Sequence, residues 1–259
     1  MVKGLYTAYS GLINEQNRLD VMTNNLANAS TVGFKKEGST SQSFDDVLTV
    51  KLRDSSIGLN NVQKIGIKNP GVKIGENYTD FSQGSFRITN NTYDLALSGE
   101  GFFAIEFTNK AGETSTMYTR AGQFTLNKDG YLVTQEGDYV LDVNSKRIKL
   151  NTLIGASIDD SGTIYQDGKE MAQIQVVDFA NYDYLEKYGE TYYEPIKGAE
   201  IIASDADVKS GYLEMSNVQI VSEMVNMISI TRAYESNQKI VQTYDDTLQI
   251  AVTELGKIR

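Results

Sequence analysis

The sequence predicts an α+β protein in which long, coiled-coil-like N- and C-terminal α-helices flank a mainly antiparallel β domain. Three observations predict it. Residues 2–27 contain no Pro and space their apolar residues by three and four. Residues 217–255 contain neither Gly nor Pro and do the same. Between them, from about 76 to 209, short β-like runs are punctuated by turn signals.

The first helix carries the stripe Val2, Leu5, Tyr9, Leu12, Gln16, Leu19, Thr23 and Leu26, apolar at six of eight positions. It should stop near Asn28, with Gly33 closing the segment. At ~1.5 Å per residue it would be about 39 Å long. Residues 36–75 are rich in Ser, Asn, Gly and Lys and read as an extended connector, with a short helix expected over Phe44–Leu52. Phe102–Phe107, Tyr131–Thr134 and Gln173–Val177 are strand candidates. Lys128-Asp129-Gly130, Asp160-Ser161-Gly162 and Asp167-Gly168 read as hairpin turns. An internal echo, Gly84-Ser85-Phe86-Arg87-Ile88-Thr89 against Gly122-Gln123-Phe124-Thr125-Leu126-Asn127, is too short for a repeat fold.

The last helix carries the series Ile220, Met224, Met227, Thr231, Tyr234, Gln238, Val241, Asp245, Leu248, Val252 and Leu255, apolar at eight of eleven positions. Its length would be roughly 58 Å. Within residues 218–230 the polar positions Gln219, Ser222, Glu223, Asn226 and Ser229 share one narrow stripe, and the rest is Val, Ile and Met. One partner helix cannot cover that much apolar surface. Either the helix sits inside a bundle or neighbouring molecules cover it, and its excess length over the first helix favours neighbours. The organisation is therefore 1–35, the N-terminal helix; 36–75, the connector; 76–209, the β core; and 210–259, the C-terminal helix.

Composition narrows the chemistry. The 259 residues include no Cys and no His, which excludes thiol and Ser–His nucleophiles, disulfides and thiolate metal sites. Net charge is −10, and that disfavours nucleic-acid binding. The charge sits in the middle: residues 1–36 are net +2, residues 212–259 net −2 and the remainder net −10. That partition suits a subunit that assembles through its termini and shows its β domain outward. No apolar run is long enough to cross a bilayer, so no membrane insertion is expected, and the N-terminus lacks a cleavable signal pattern.

Four chemical readings give way to plainer ones. Thr125, Asn127, Asp129, Gly130, Leu132 and Glu136 fall near calcium-loop positions, but Thr opens the series and the flanks alternate like strands. Gly99-Glu100-Gly101 lacks the third glycine of a phosphate loop. Acidic pairs such as Asp45-Asp46, Asp159-Asp160 and Asp245-Asp246 are abundant, with nothing to select one for glycoside hydrolysis. The sixteen tyrosines read as sheet and packing residues before a carbohydrate surface. No metal or cofactor is expected.

Three segments together resemble the axial proteins of the bacterial flagellum, its rod and hook subunits. The first is Asn24–Lys35, with Ala27-Asn28, Thr31 and Gly33-Phe34-Lys35. The second is Asp94-Leu95-Ala96-Leu97-Ser98-Gly99-Glu100-Gly101-Phe102-Phe103, followed by Tyr118–Phe124 and Asp129–Thr134. The third runs from Gly211-Tyr212-Leu213-Glu214-Met215-Ser216-Asn217-Val218 through Glu223–Ile228 to Arg232-Ala233-Tyr234-Glu235 and Asn237. Order and spacing fit along the whole chain, and the long connector is similar to that of distal rod subunits, with proximal rod and hook subunits as the alternative.

The resemblance implies a structural, non-enzymatic subunit of the basal body, exported through the flagellar type III apparatus. Its partners would be further copies of itself and other rod and hook subunits. The termini would form an inner helical tube and the β domain an outer layer. On this reading Leu5, Leu12, Leu19 and Leu26 line an N-terminal interface seam, and Ile220, Met224, Met227, Tyr234, Val241 and Leu248 a C-terminal one. Asn28, Thr31, Gly33, Phe34 and Lys35 fix the turn out of the first helix and belong to the same interface. The reading of another class is an extracytoplasmic carbohydrate- or peptidoglycan-processing protein using Asp and Glu, and a third is a free adhesin-like β module.

Overall fold

The uninterrupted 3-4 spacing at the N-terminus produces helix α1, Val2–Ala27. It ends where Asn28 begins a turn, and Gly33, at φ +70°, turns the chain away. The computed structural model describes residues 2–51, 63–110 and 112–256. The Gly- and Pro-free C-terminal stretch forms helix α2, Ile220–Gly256. Among the described residues, no helix is long and apolar enough to cross a membrane.

The chain divides into two compact units. The terminal unit comprises Met1–Leu26, Glu37–Asp80 and Ile220–Arg259, and the β unit comprises Ala27–Lys36 and Phe81–Gln219.

In the terminal unit the two helices are joined by a β arm. Strand β1, Glu37–Ser43, runs antiparallel to β4, Val72–Thr79, pairing Glu37 with Thr79 and Ser43 with Val72. Beyond it, β2, Val47–Lys51, pairs with β3, Gln63–Lys68, placing Leu48 opposite Ile67. The connector read over 36–75 thus carries strands. The short helix expected over Phe44–Leu52 is replaced by β2, and Leu52 itself lies outside the described residues. Phe44, Val47, Leu48 and Leu52 offer a 3-4 apolar face, but Val47, Thr49 and Val50 are β-branched and favour the extended chain, and pairing with β3 takes up its backbone.

In the β unit, Phe102–Thr108 is the spine of a nine-stranded antiparallel sheet among the described residues. It pairs on one side with Thr114–Thr119 and on the other with Tyr139–Val140 and Val176–Phe179. Three smaller antiparallel sheets complete the unit, including the meander Ala156–Ile158, Thr163–Gln166 and Lys169–Gln173. Phe102, Phe103, Ile105, Leu132, Ile148 and Ile164 are fully buried, and Phe103 and Phe124 meet edge to face with ring centroids 5.2 Å apart. The expected turns fall between strands. Asp167 and Gly168 both take positive φ, as a two-residue hairpin turn requires. Thr125–Glu136, weighed as a calcium loop, is a hairpin pairing Leu132 with Leu126. The third strand candidate is interrupted at Ile174 and Gln175, with Val176–Phe179 crossing to the main sheet.

Candidate assembly interface

The turn out of α1 is built inside the β unit. Thr31 donates from N to Asn28 O (3.1 Å) and from Oγ1 to Asn28 Oδ1 (3.0 Å), closing the turn. Gly33 N donates to Glu214 O at 2.8 Å, and a Cβ at Gly33 would collide with the backbone of Arg120 and Ala121. Phe34 is fully buried, and Lys187 Nζ lies 4.1 Å from its ring centroid.

Lys35 is buried as well. Its Nζ donates to Glu214 Oε1 (2.6 Å) and to Ser82 O (2.8 Å). Arg120 Nη1 lies 3.4 Å from Glu214 Oε2, and Gly84 N donates to Glu214 Oε1 at 2.9 Å. Two cations therefore converge on one buried carboxylate. Such an arrangement costs desolvation, but it fixes geometry, because each charge is tolerated only in this register. Lys36 N donates to Asn217 Oδ1 (2.8 Å), so the strand leaving the turn and the segment entering α2 are pinned together.

Of the five turn residues expected at an interface, Asn28, Gly33, Phe34 and Lys35 are buried and Thr31 is half-buried. They hold the chain's exit from the β unit and leave little side-chain surface for a second copy. Their partners Ser82, Arg120, Glu214 and Asn217 were not singled out from sequence. Arg120 stands inside the second resemblance segment and Glu214 and Asn217 inside the third, which was the available signal.

In the terminal unit, α1 and α2 touch through small residues. A Cβ at Gly4 would run into the Tyr244 hydroxyl, and one at Gly11 would sit 2.9 Å from Asn237 Nδ2. Seven residues forward on α1 correspond to seven back on α2, so the helices run antiparallel in heptad register. Part of the helical seam is therefore intramolecular. The stripe of α2 that is buried or half-buried is Glu223, Met227, Ile230, Thr231, Ala233, Tyr234, Asn237, Val241, Tyr244 and Ala251. Asn25 is fully buried near the end of α1; its Nδ2 donates to Glu37 O (2.7 Å) and its Oδ1 accepts from Glu37 N (2.9 Å), fastening the start of β1.

Against that stripe the expected seam residues separate. Met227, Tyr234 and Val241 lie on it. Ile220, Met224 and Leu248 do not; they are exposed, in company with Val221, Val225 and Ile228. On α1, Leu5, Leu12, Leu19 and Leu26 are all half-buried, while Ala8 and Val21 are buried. The apolar face of α2 is wide enough to hold two overlapping 3-4 series. The chain uses the one containing Glu223 and Asn237 and leaves the more apolar one uncovered.

Two of the acidic pairs weighed for hydrolysis have structural partners. Asp159 Oδ1 accepts from Asp160 N (2.8 Å), Asp160 pairs with Lys209 (3.3 Å), and Asp46 Oδ1 accepts from Asn69 Nδ2 (3.3 Å). Burial, with a hydrogen bond to Asp138 at 2.9 Å, pushes the Tyr192 hydroxyl far above its ordinary range, so it stays neutral. The Arg147 guanidinium, bidentate on Glu106 at 2.9 and 2.6 Å, holds that carboxyl below its ordinary value.

Comparison with known proteins matches three family models in chain order. Residues 5–35 match the flagella basal body rod protein model. Residues 96–168 match the D1 domain of the flagellar hook protein FlgE/F/G model, and residues 209–254 the flagellar basal body rod FlgEFG protein C-terminal model. The chain is 38% identical to the flagellar basal-body rod protein FlgG of Bacillus subtilis, over 96% of this chain and 97% of that one. It is 33% identical to the FlgG of Borreliella burgdorferi, over 97% and 98%. It is also 33% identical to the flagellar basal-body rod protein FlgF of Caulobacter vibrioides, over the full length of both.

Proposed function

The chain belongs to the flagellar basal-body rod and hook family, and from that premise we propose that it is the distal rod subunit, polymerising into a helical tube that transmits torque from motor to hook. It is a structural component of the bacterial flagellar basal body. The observation that carries the polymer reading is the uncovered apolar face of α2, since five large apolar side chains exposed over residues 220–228 need a partner that the chain itself does not supply. The distal position is supported by full-length similarity to FlgG proteins. The full-length match to a FlgF protein supports the proximal rod as the second reading.

In this reading the protein performs no catalysis. Its partners are further copies of itself and the neighbouring rod and hook subunits, and it reaches its site through the flagellar type III export apparatus. Contacts of α2 with a neighbour would be heterologous and non-closing, which is how a single subunit type builds an open helical tube. Of the expected seam residues, Ile220, Met224 and Leu248 are exposed and available for that contact, together with Val221, Val225 and Ile228. The cost of ordering these segments on assembly offsets part of the gain from burying their apolar faces, which restrains polymerisation before export.

Electron microscopy of basal bodies from a strain lacking the chain tests the assignment. Distal rod function predicts a short rod stub without a hook. Basal bodies with no rod at all would favour the proximal position, and complete rods with hooks would overturn the family role for this chain.

A further inference from the structure

We propose that a cleft in the β unit binds a short zwitterionic peptide, taking its ammonium on Glu136 and Glu190 and its carboxylate on Arg87. The inference does not depend on the polymer reading, since every residue lining the cleft belongs to the β unit.

The cleft encloses about 450 Å³, a size usual for small-ligand sites. Its three charged residues stand on separate, fixed elements. Arg87 is the middle residue of the strand Phe86–Ile88 and pairs with Leu213. Glu136 sits in the turn between Leu132–Thr134 and Tyr139–Val140, where Gly137 N donates to Thr134 O at 3.1 Å. Glu190 sits in the turn between Leu185–Tyr188 and Tyr192–Pro195. All three are exposed, and among the described residues their side chains make no hydrogen bond or ion pair, with one another or with any other group. Opposite charges at one cleft are thus held apart and left for a ligand.

The floor decides which end goes where. Thr134 and Tyr192 line the cleft and are only 7% and 5% exposed. Asp138 N donates to Thr134 Oγ1 at 3.2 Å, and the Tyr192 hydroxyl donates to Asp138 Oδ2 at 2.9 Å. Thr134 Oγ1 lies 3.2 Å from the Tyr192 hydroxyl oxygen. Tyr192 has spent its one hydrogen on Asp138, so in that pair the hydrogen comes from Thr134. Neither hydroxyl keeps a hydrogen for a ligand, and both offer lone pairs alone. Glu136 stands two residues after Thr134 and Glu190 two before Tyr192, so this wall accepts and does not donate. An ammonium, with three donors and no acceptor, is its complement. Arg87 is the reverse, a planar fork of donors that a carboxylate meets with both oxygens. Gln123 and Gln135 also line the cleft, and their carboxamides, donor and acceptor at once, match the amide groups between the two ends of a peptide. A saccharide fits less well, because Tyr192 is the sole aromatic residue of the lining and its ring is buried.

Isothermal titration calorimetry of the full chain with trialanine tests the site. Trialanine carries both charges and no functional side chain. The proposal predicts saturable binding, weakened about tenfold by acetylating the amine or by amidating the carboxylate. Combining Glu136→Gln with Glu190→Gln should remove the penalty for acetylation and leave the one for amidation. Arg87→Gln should do the opposite. A merely structural role for these residues would weaken all three peptides alike. Near-UV circular dichroism of each variant checks that the β unit is folded.

Absence of heat with every peptide, or equal affinity for free and doubly capped trialanine, would overturn the site. An acetylation penalty that survives in the double variant would overturn the assignment of the two carboxylates. Binding of cellotriose in place of trialanine would overturn the ligand class.

Discussion

Replacing Glu214 by Gln keeps the shape and the acceptor oxygen of the side chain and removes its charge. The carboxylate accepts from Lys35 Nζ at 2.6 Å and Gly84 N at 2.9 Å, with Arg120 Nη1 at 3.4 Å. At an effective dielectric of about 20, the two charge pairs carry roughly 6 and 5 kcal/mol of attraction. Most of that is offset in the native protein by the desolvation of three buried charges. Once the anion is gone, the offset remains and the attraction does not. The expected destabilisation is therefore ~3–5 kcal/mol, the usual consequence of removing one member of a buried ion pair. For a unit of this size that lowers the melting midpoint by roughly 10 °C. The assay is thermal and urea denaturation of the full chain, followed by far-UV circular dichroism and near-UV tyrosine signal; Tyr118, Tyr192 and Tyr193 are buried in this unit. Adding Lys35→Met to Glu214→Gln should restore part of the loss, with a coupling of about 1–3 kcal/mol. A loss below about 1 kcal/mol for Glu214→Gln would refute the reasoning, because it would mean that the buried charges are not fixed by this carboxylate.

Three further outcomes are expected. Gly33→Ala should cost ~2–4 kcal/mol in the same melts, from positive-φ strain and the clash with the Arg120–Ala121 backbone; wild-type stability would contradict the turn geometry. Gly4→Leu should part α1 from Tyr244 and lower helix content, with a loss of ~1–3 kcal/mol and no change in the tyrosine signal of the β unit; unchanged ellipticity would contradict the helix pairing. Tyr192 titrates above its ordinary range because of burial and Asp138, so the unfolded chain releases its proton first as pH rises. Stability should be undiminished by this group below pH about 10 and decline above it, by at most ~1.4 kcal/mol per pH unit. Tyr192→Phe should flatten that decline, and identical alkaline slopes would contradict the assignment.

The helices were legible in the sequence because their signals are local. A Pro-free 3-4 stripe ends at Asn28, and a Gly- and Pro-free run continues to Leu255. Turns built on Asp-Gly were legible for the same reason, since positive φ selects few residue types. The phase of the α2 seam was not. Glu223 and Asn237 are polar, so periodicity weighted the neighbouring row of Ile220, Met224 and Leu248, while the chain buries the polar-containing row against itself. The β arm was hidden too: β1 is Glu-Gly-Ser-Thr-Ser-Gln-Ser, with no apolar alternation, and is held by pairing with β4 and by Asn25. Lys35 was legible as part of a turn signature, but its counter-charge lies 179 residues away, a distance over which no spacing rule operates.

The central claim is that the uncovered face of α2 builds the polymer, and Met224→Asp tests it most directly. The substitution places a carboxylate in the middle of the apolar face over residues 220–228, at a position exposed in the single chain. The measurement is the fraction of basal bodies with full-length rods in cells whose sole copy carries Met224→Asp. Far-UV circular dichroism of the purified variant confirms the folded β unit. The account predicts that full-length rods disappear while the β signal is unchanged. Full-length rods at the wild-type frequency would contradict it.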